Sequence, residues 1–147
     1  MPQSATDNPE GLQTMWTIPR PLLNRILDHA RRALPAECVG LLSGQGKTAT
    51  AWHPLSNQSH DGRRFWADES ELIQVLRQLR EHNQELVAIY HSHPDSAAVP
   101  SALDRQQAHY PDALYLIVSL MTSGRMEMNG FLMREGEVIA QEVQISD

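Results

Sequence analysis

Two histidines stand one residue apart in Ile89-Tyr90-His91-Ser92-His93-Pro94, behind a run of apolar residues. In an extended strand, side chains i and i+2 share a face roughly 6–7 Å apart. His91 and His93 therefore point the same way, while Ser92 points to the opposite face. Two imidazoles converging from one face can share a zinc ion at about 2.0–2.1 Å each. Asp104 lies thirteen residues after His91, at the far side of a short loop and inside the first turn of a possible helix. Two histidines and one carboxylate leave the fourth position of a tetrahedral zinc to water, the pattern of a catalytic rather than a closed structural site. Ser101 and Asp104 form S-x-x-D, which also reads simply as a helix N-terminus in capping-box style. The two roles are compatible, because a capped turn fixes where Asp104 points. H-x-H alone fits a hydrogen-bonded pair at a strand end as well as a ligand pair. The serine and aspartate at fixed offsets make the combination specific.

A hydrolytic zinc site also needs a base for the proton of its water, and a carboxylate held beside the metal suits that task. Glu37 is the candidate. It opens an otherwise apolar segment, where an uncompensated buried charge would be costly. The plainer alternative is a solvated residue after Pro35.

The elements that must position these residues follow from periodicity and punctuation. Leu23, Ile26, Leu27, Ala30 and Leu34 recur at helical spacing behind Pro19 and Pro21, with Pro35 closing the helix and Arg31 and Arg32 in its last turn. Glu37 to Ser43 reads as a strand, and Thr48 to Pro54 as its hairpin partner across Gly44 and Gly46. Phe65-Trp66 suggests a short strand. Asp68 or Ser70 would then cap a second helix whose buried stripe is Leu72, Val75, Leu76 and Leu79. Leu86 to His93 is a buried strand closing at Pro94, and Ser101 to about His109 a short helix. Ala113 to Leu120 is the strongest strand signal. Met126 to Arg134 and Val138 to Ile145 flank a hairpin turn at Glu135-Gly136. Strands mixed with helices imply an α/β or α+β sandwich, a mixed sheet flanked by helices. Residues 1–14 are polar and aperiodic and are expected to be a disordered tail, leaving residues 15–147 as one domain.

Composition narrows the function classes. At 147 residues, the chain carries 12 Lys+Arg against 18 Asp+Glu, a formal net charge of −6, which argues against a nucleic-acid surface. Its one cysteine, Cys38, rules out an internal disulfide and a cysteine-based zinc cluster. The N-terminus lacks the basic and apolar regions of a secretory signal, and no apolar run approaches a membrane span, so no membrane partner and a cytoplasmic location are expected.

Glu37 upstream, then His91-Ser92-His93, seven residues, Ser101, two residues and Asp104 resemble the JAMM (MPN-plus) metalloprotease signature, E…HSH-x7-S-x2-D, at every defining position. Glu37-Cys38-Val39-Gly40-Leu41-Leu42-Ser43-Gly44 is similar to that family's first strand. Ala88-Ile89-Tyr90 is similar to its lead-in to the histidines. Pro94-Asp95, Val99-Pro100-Ser101 and Tyr115-Leu116-Ile117-Val118-Ser119 resemble the small stand-alone bacterial branch. The likeness covers about residues 15–145. It implies a deaminase-like (JAB1/MPN) α/β sandwich with one catalytic zinc ion and its water. His91, His93 and Asp104 would be the metal ligands, Glu37 the general acid/base, and Ser101 a hydrogen-bond donor to the oxyanion. The implied reaction is hydrolysis of a peptide or isopeptide bond, at the C-terminal glycines of a ubiquitin-like sulfur-carrier protein, releasing cysteine or a short extension. Where bacterial members often carry aspartate-proline before the second helix, this chain has Asp68-Glu69. The 119–128 segment is too short for the insertions with which eukaryotic relatives grip ubiquitin chains.

Other readings compete with this one. A non-catalytic MPN-type binding module would share the fold, although such relatives typically lose one of the four site residues that this chain keeps. A JAMM peptidase acting on an unrelated peptide is a further alternative. A thiol hydrolase built on Cys38 would need an electropositive, accessible thiol. A serine hydrolase on Ser101 lacks the G-x-S-x-G elbow, and a nucleotide deaminase would need P-C-x-x-C ligands. His29, His53, His60, His82 and His109 share no metal spacing, and the methionines imply no cofactor.

Overall fold

The computed structural model describes residues 15–57, 69–120 and 126–147. The expected tail at 1–14, the Phe65-Trp66 strand, an Asp68 cap and part of the 119–128 segment lie outside them.

Strand β1 (Met15–Pro19) leads directly into helix α1 (Arg20–Ala33), which carries proline in its first turn, where no intrahelical partner for an N–H is lost. The hairpin of β2 (Val39–Gln45) and β3 (Thr48–Leu55) follows, then helix α2 (Glu69–Glu81). Ser70 thus sits inside the first turn of α2 rather than before it. Strand β4 (Glu85–His93) comes next, then helix α3 (Ala102–Gln106), strand β5 (Leu114–Ser119) and the hairpin of β6 (Glu127–Arg134) and β7 (Glu137–Ser146). Both central residues of the last turn have positive φ, Glu135 at 49° and Gly136 at 82°. That is the primed geometry whose twist matches the flanking strands, and glycine adopts it without a Cβ penalty. Among the described residues, no helix is long and apolar enough to cross a membrane.

The strands form one mixed sheet in the order β1-β3-β2-β4-β5-β6-β7, which closes on itself because β1 also pairs with β7. The β4–β5 pair is parallel, with α3 in its crossover, whereas β2–β3, β2–β4, β5–β6 and β6–β7 are antiparallel. Strand β1 runs parallel to β7 from Met15↔Glu142 to Pro19↔Ser146 and meets β3 at Thr17↔Thr48. A mixed sheet with flanking helices is the expected class. The closing strand was not expected, because Met15–Pro19 is short and ends at a proline.

The faces of β4 divide the core. Ala88 and Tyr90 join Trp16, Ile18, Leu42, Leu114, Leu116 and the α1 residues Ile26 and Ala30 in one cluster. Removing a side chain such as Ile26 from water contributes about 1.5–3 kcal/mol. Ile89 faces the other way, with Val39, Leu41, Leu55 and Tyr115, and the α2 residues Leu72, Val75 and Leu76 pack against that cluster. Strand alternation therefore sends His91 and His93 to the α2 side. Two of the boundaries that differ from expectation bear on the site. β2 begins at Val39, so Glu37 precedes the strand instead of opening it, and α3 ends at Gln106, short of His109.

Candidate metal centre

The C-terminal end of β4 and the first turn of α3 bring three donor atoms into a near-equilateral triangle. His91 Nε2 and His93 Nε2 lie 3.1 Å apart. Asp104 Oδ2 is 3.1 Å from His93 Nε2 and 3.2 Å from His91 Nε2. The Glu37 carboxylate joins from before β2, and its donor atom lies within 4.8 Å of both imidazoles. All four residues are buried, none more than 7 % exposed. Glu37, His91 and His93 are placed to hold a metal ion.

The donor chemistry fits a divalent cation. His93 Nδ1 donates to the Ala97 carbonyl oxygen at 2.8 Å. In a neutral ring this leaves Nε2 without a proton, turning a lone pair toward the others, which is how an outer hydrogen bond orients a metal-binding imidazole. A cation or a proton between Nε2 and Oδ2, 3.1 Å apart, can satisfy both lone pairs. A tetrahedral ion binding at about 2.0–2.1 Å separates its donors by about 3.3–3.4 Å, close to the triangle observed.

Electrostatics differ at each member. Burial pushes the His91 imidazole below its ordinary value, against the pull of Asp104. At His93, burial acts in the same direction, but bonds to Asp104 and the Ala97 carbonyl, with the charges of Asp104 and Glu37, outweigh it and raise the ring. Burial would raise the Asp104 carboxyl, yet the hydrogen bonds it accepts from both imidazoles and from the Ser101 N–H hold it well below the usual carboxylate range.

Ser101 is the N-cap of α3 and forms the reciprocal box expected from S-x-x-D. Its Oγ accepts from the Asp104 N–H at 3.1 Å, and its own N–H donates to Asp104 Oδ2 at 2.9 Å. The loop between β4 and α3 is pinned to the sheet, since Ser119 Oγ donates to the Ser96 carbonyl at 2.7 Å and Asn129 Nδ2 to the Ala98 carbonyl at 3.0 Å. Ala98 itself packs on Ile117 and Phe131. Two further residues reach the site from behind. Ser92 Oγ accepts from the Cys38 N–H at 2.8 Å, and Asn57 Nδ2 donates to the Glu37 carbonyl at 2.7 Å. Alternation signals that Ser92 turns away from the histidines. Nothing in the loop-like stretch around Asn57 signals its partner.

The remaining chemistry-bearing residues lie elsewhere. Cys38 is buried in the α1-side cluster, and burial pushes its thiol up to about 11. Trp52 Nε1 donates to the Tyr90 hydroxyl at 2.8 Å, and that hydroxyl meets His29 Nδ1 at 2.7 Å. His53 Nε2 meets Ser43 Oγ at 2.8 Å, and His82 Nδ1 donates to the Gln78 carbonyl. His60 lies outside the described residues.

Residues 19–131 match the family described as prokaryotic homologs of the JAB domain. The chain is 41% identical over 108 residues to the Desampylase of Haloferax volcanii, an alignment spanning 69% of this chain and 76% of that one. It is 31% identical over 138 residues to the CysO-cysteine peptidase of Mycobacterium tuberculosis, spanning 92% and 94% of the two chains. Among solved structures, a protein from Desulfitobacterium hafniense matches with a TM-score of 0.81 and 31% identity, over 90% of this chain and 94% of that one.

Proposed function

This chain belongs to the prokaryotic JAB-domain family, and from that premise we propose that it is a zinc-dependent peptidase of ubiquitin-like sulfur-carrier proteins. The bond cut is a peptide or isopeptide bond at the carrier's C-terminal glycines, releasing cysteine or a short extension. The relatives named Desampylase and CysO-cysteine peptidase support the substrate class. The catalytic unit is one domain over residues 15–147, working in the cytoplasm. The observation that carries the reading is the buried triangle of His91, His93 and Asp104 with the Glu37 carboxylate beside it.

In this reading His91 Nε2, His93 Nε2 and Asp104 Oδ2 hold the zinc ion. When bound, zinc supplies Lewis-acid polarisation and a lowered pKa for water. The Glu37 carboxylate takes a proton from the attacking water and returns it to the departing amine as the C–N bond breaks. Ser101 Oγ accepts from the Asp104 N–H, which leaves its own hydrogen available to donate to the oxyanion of the tetrahedral intermediate. The Ala97 carbonyl keeps the proton of His93 on Nδ1, leaving Nε2 to the metal.

The test is incubation of candidate ubiquitin-like proteins bearing C-terminal extensions with the chain, with and without chelator, and location of any cut by mass spectrometry. Glu37→Gln is expected to keep fold and zinc while losing about 10²–10⁴ in rate. Cleavage by that variant near the wild-type rate would show Glu37 to be misassigned. Purified protein without zinc at near-unit stoichiometry, with His93→Ala changing nothing, would leave a non-catalytic binding module instead.

A further inference from the structure

We infer that Asn57 and Ser92 are positioning residues that clamp the peptide group joining Glu37 to Cys38 and thereby aim the Glu37 carboxylate. The inference rests on the acid/base role proposed for Glu37.

The last ladder pair at this end of β2 and β4 is Val39↔His91, so the 37–38 peptide lies just beyond the sheet's regular hydrogen bonding. Both of its polar ends are nevertheless held by side chains. Its carbonyl oxygen, that of Glu37, accepts from Asn57 Nδ2 at 2.7 Å. Its N–H, that of Cys38, donates to Ser92 Oγ at 2.8 Å. The peptide unit is planar, so anchoring both ends fixes its rotation, and with it ψ of Glu37 and the direction of its Cα–Cβ bond. Ser92 adds a second grip, its own N–H donating to the Cys38 carbonyl at 3.1 Å.

Ser92 stands between the two imidazoles in the chain. The alternation that presents His91 and His93 to one side of β4 presents the Ser92 hydroxyl to the other. Metal donors and base are thus tied through one tripeptide, although Glu37 is more than fifty residues away in sequence. Asn57, half-buried just after β3, closes the clamp from a third segment. A base that must meet a reacting proton is sensitive to such fixing, since misplacement by about 1 Å can cost on the order of a hundredfold in rate.

The experiment compares Asn57→Ala, Ser92→Ala, Ser92→Thr and Glu37→Gln in the full chain. It measures kcat and KM on the extended carrier, bound zinc, and amide hydrogen exchange by NMR. Asn57→Ala and Ser92→Ala are expected to lower kcat on the order of ten- to a hundredfold with KM and zinc content held within about twofold. Ser92→Thr, which keeps the hydroxyl, is expected to recover kcat. In both alanine variants the Cys38 amide should exchange faster while the Leu41 and Leu42 amides in mid-β2 do not. Unchanged Cys38 exchange in Asn57→Ala overturns the clamp whatever the rates are. Wild-type kcat in Asn57→Ala beside an inactive Glu37→Gln also overturns it and leaves the Glu37 role standing. An active Glu37→Gln overturns that role itself. A kcat loss that tracks zinc loss makes these residues merely structural and likewise overturns the clamp. Should Ser92→Ala not fold, Asn57→Ala carries the comparison.

Discussion

On the proposed zinc reading, chelation is expected to lower the melting temperature of this protein by about 8–16 °C. The three proposed donors come from residues 91, 93 and 104, and only the folded chain assembles them. Binding therefore favours the native state with little competition from the unfolded one. At a thousandfold excess of free zinc over its dissociation constant the linkage contributes about 4 kcal/mol. For a chain of 147 residues, each kcal/mol moves the midpoint by roughly 2–4 °C. The same linkage makes the midpoint climb about 3–5 °C per decade of free zinc. Because the three donors already lie 3.1–3.2 Å apart, little of the binding energy goes into rearrangement. Differential scanning calorimetry in zinc buffers, against chelator, measures the shift directly, with His93→Ala as the control expected to abolish it. A midpoint that is flat across zinc concentrations, or a shift that persists in His93→Ala, refutes the reasoning.

Two smaller predictions concern groups outside the centre. The Cys38 thiol, pushed up to about 11 by burial, should resist iodoacetamide at pH 8 in the native protein and react fully in denaturant. Rapid native alkylation with loss of hydrolysis would instead favour a thiol enzyme. Burial lowers the imidazoles of His29, where Asp28 partly opposes it, and of His53. Their neutral forms are favoured on folding, so their stability is fully present above the unfolded value of about 6.5 and is lost as pH falls through it. Urea denaturation at pH 7.5 and 5.5 should show lower stability at the acidic pH, with a smaller difference in His29→Gln; equal differences in the two proteins would contradict the assignment.

Much of this molecule was legible in local sequence, for identifiable reasons. The alternation along β4, the Glu135-Gly136 turn and the Ile26, Leu27 and Ala30 part of the α1 stripe each depend on residues close together in the chain and appear where periodicity or punctuation puts them, whereas Leu34 falls beyond the helix and is exposed. The S-x-x-D box at Ser101 and Asp104 is legible for the same reason, since its two hydrogen bonds close within one turn. β1 was hidden because its pairing is with β7 at the other end of the chain, and nothing in Met-Trp-Thr-Ile-Pro advertises a distant partner. The proximity of Glu37 to His91 and His93 could be expected only from the family pattern, since no spacing rule joins residues so far apart. Asn57 was illegible altogether. Its role depends on a carbonyl, and every residue has one.

The closure of the sheet by β1 also sets an order of events during synthesis. Among the described strands, β1 is made first and its main partner, β7, last. At roughly 5–20 residues per second, about 6–25 s pass between β1 and β7, and the other pairing that β1 makes in the fold is with β3 at Thr17↔Thr48. Nascent chains stalled before Glu137 would keep an open edge on both β1 and β6, the interval in which a chaperone has most to cover.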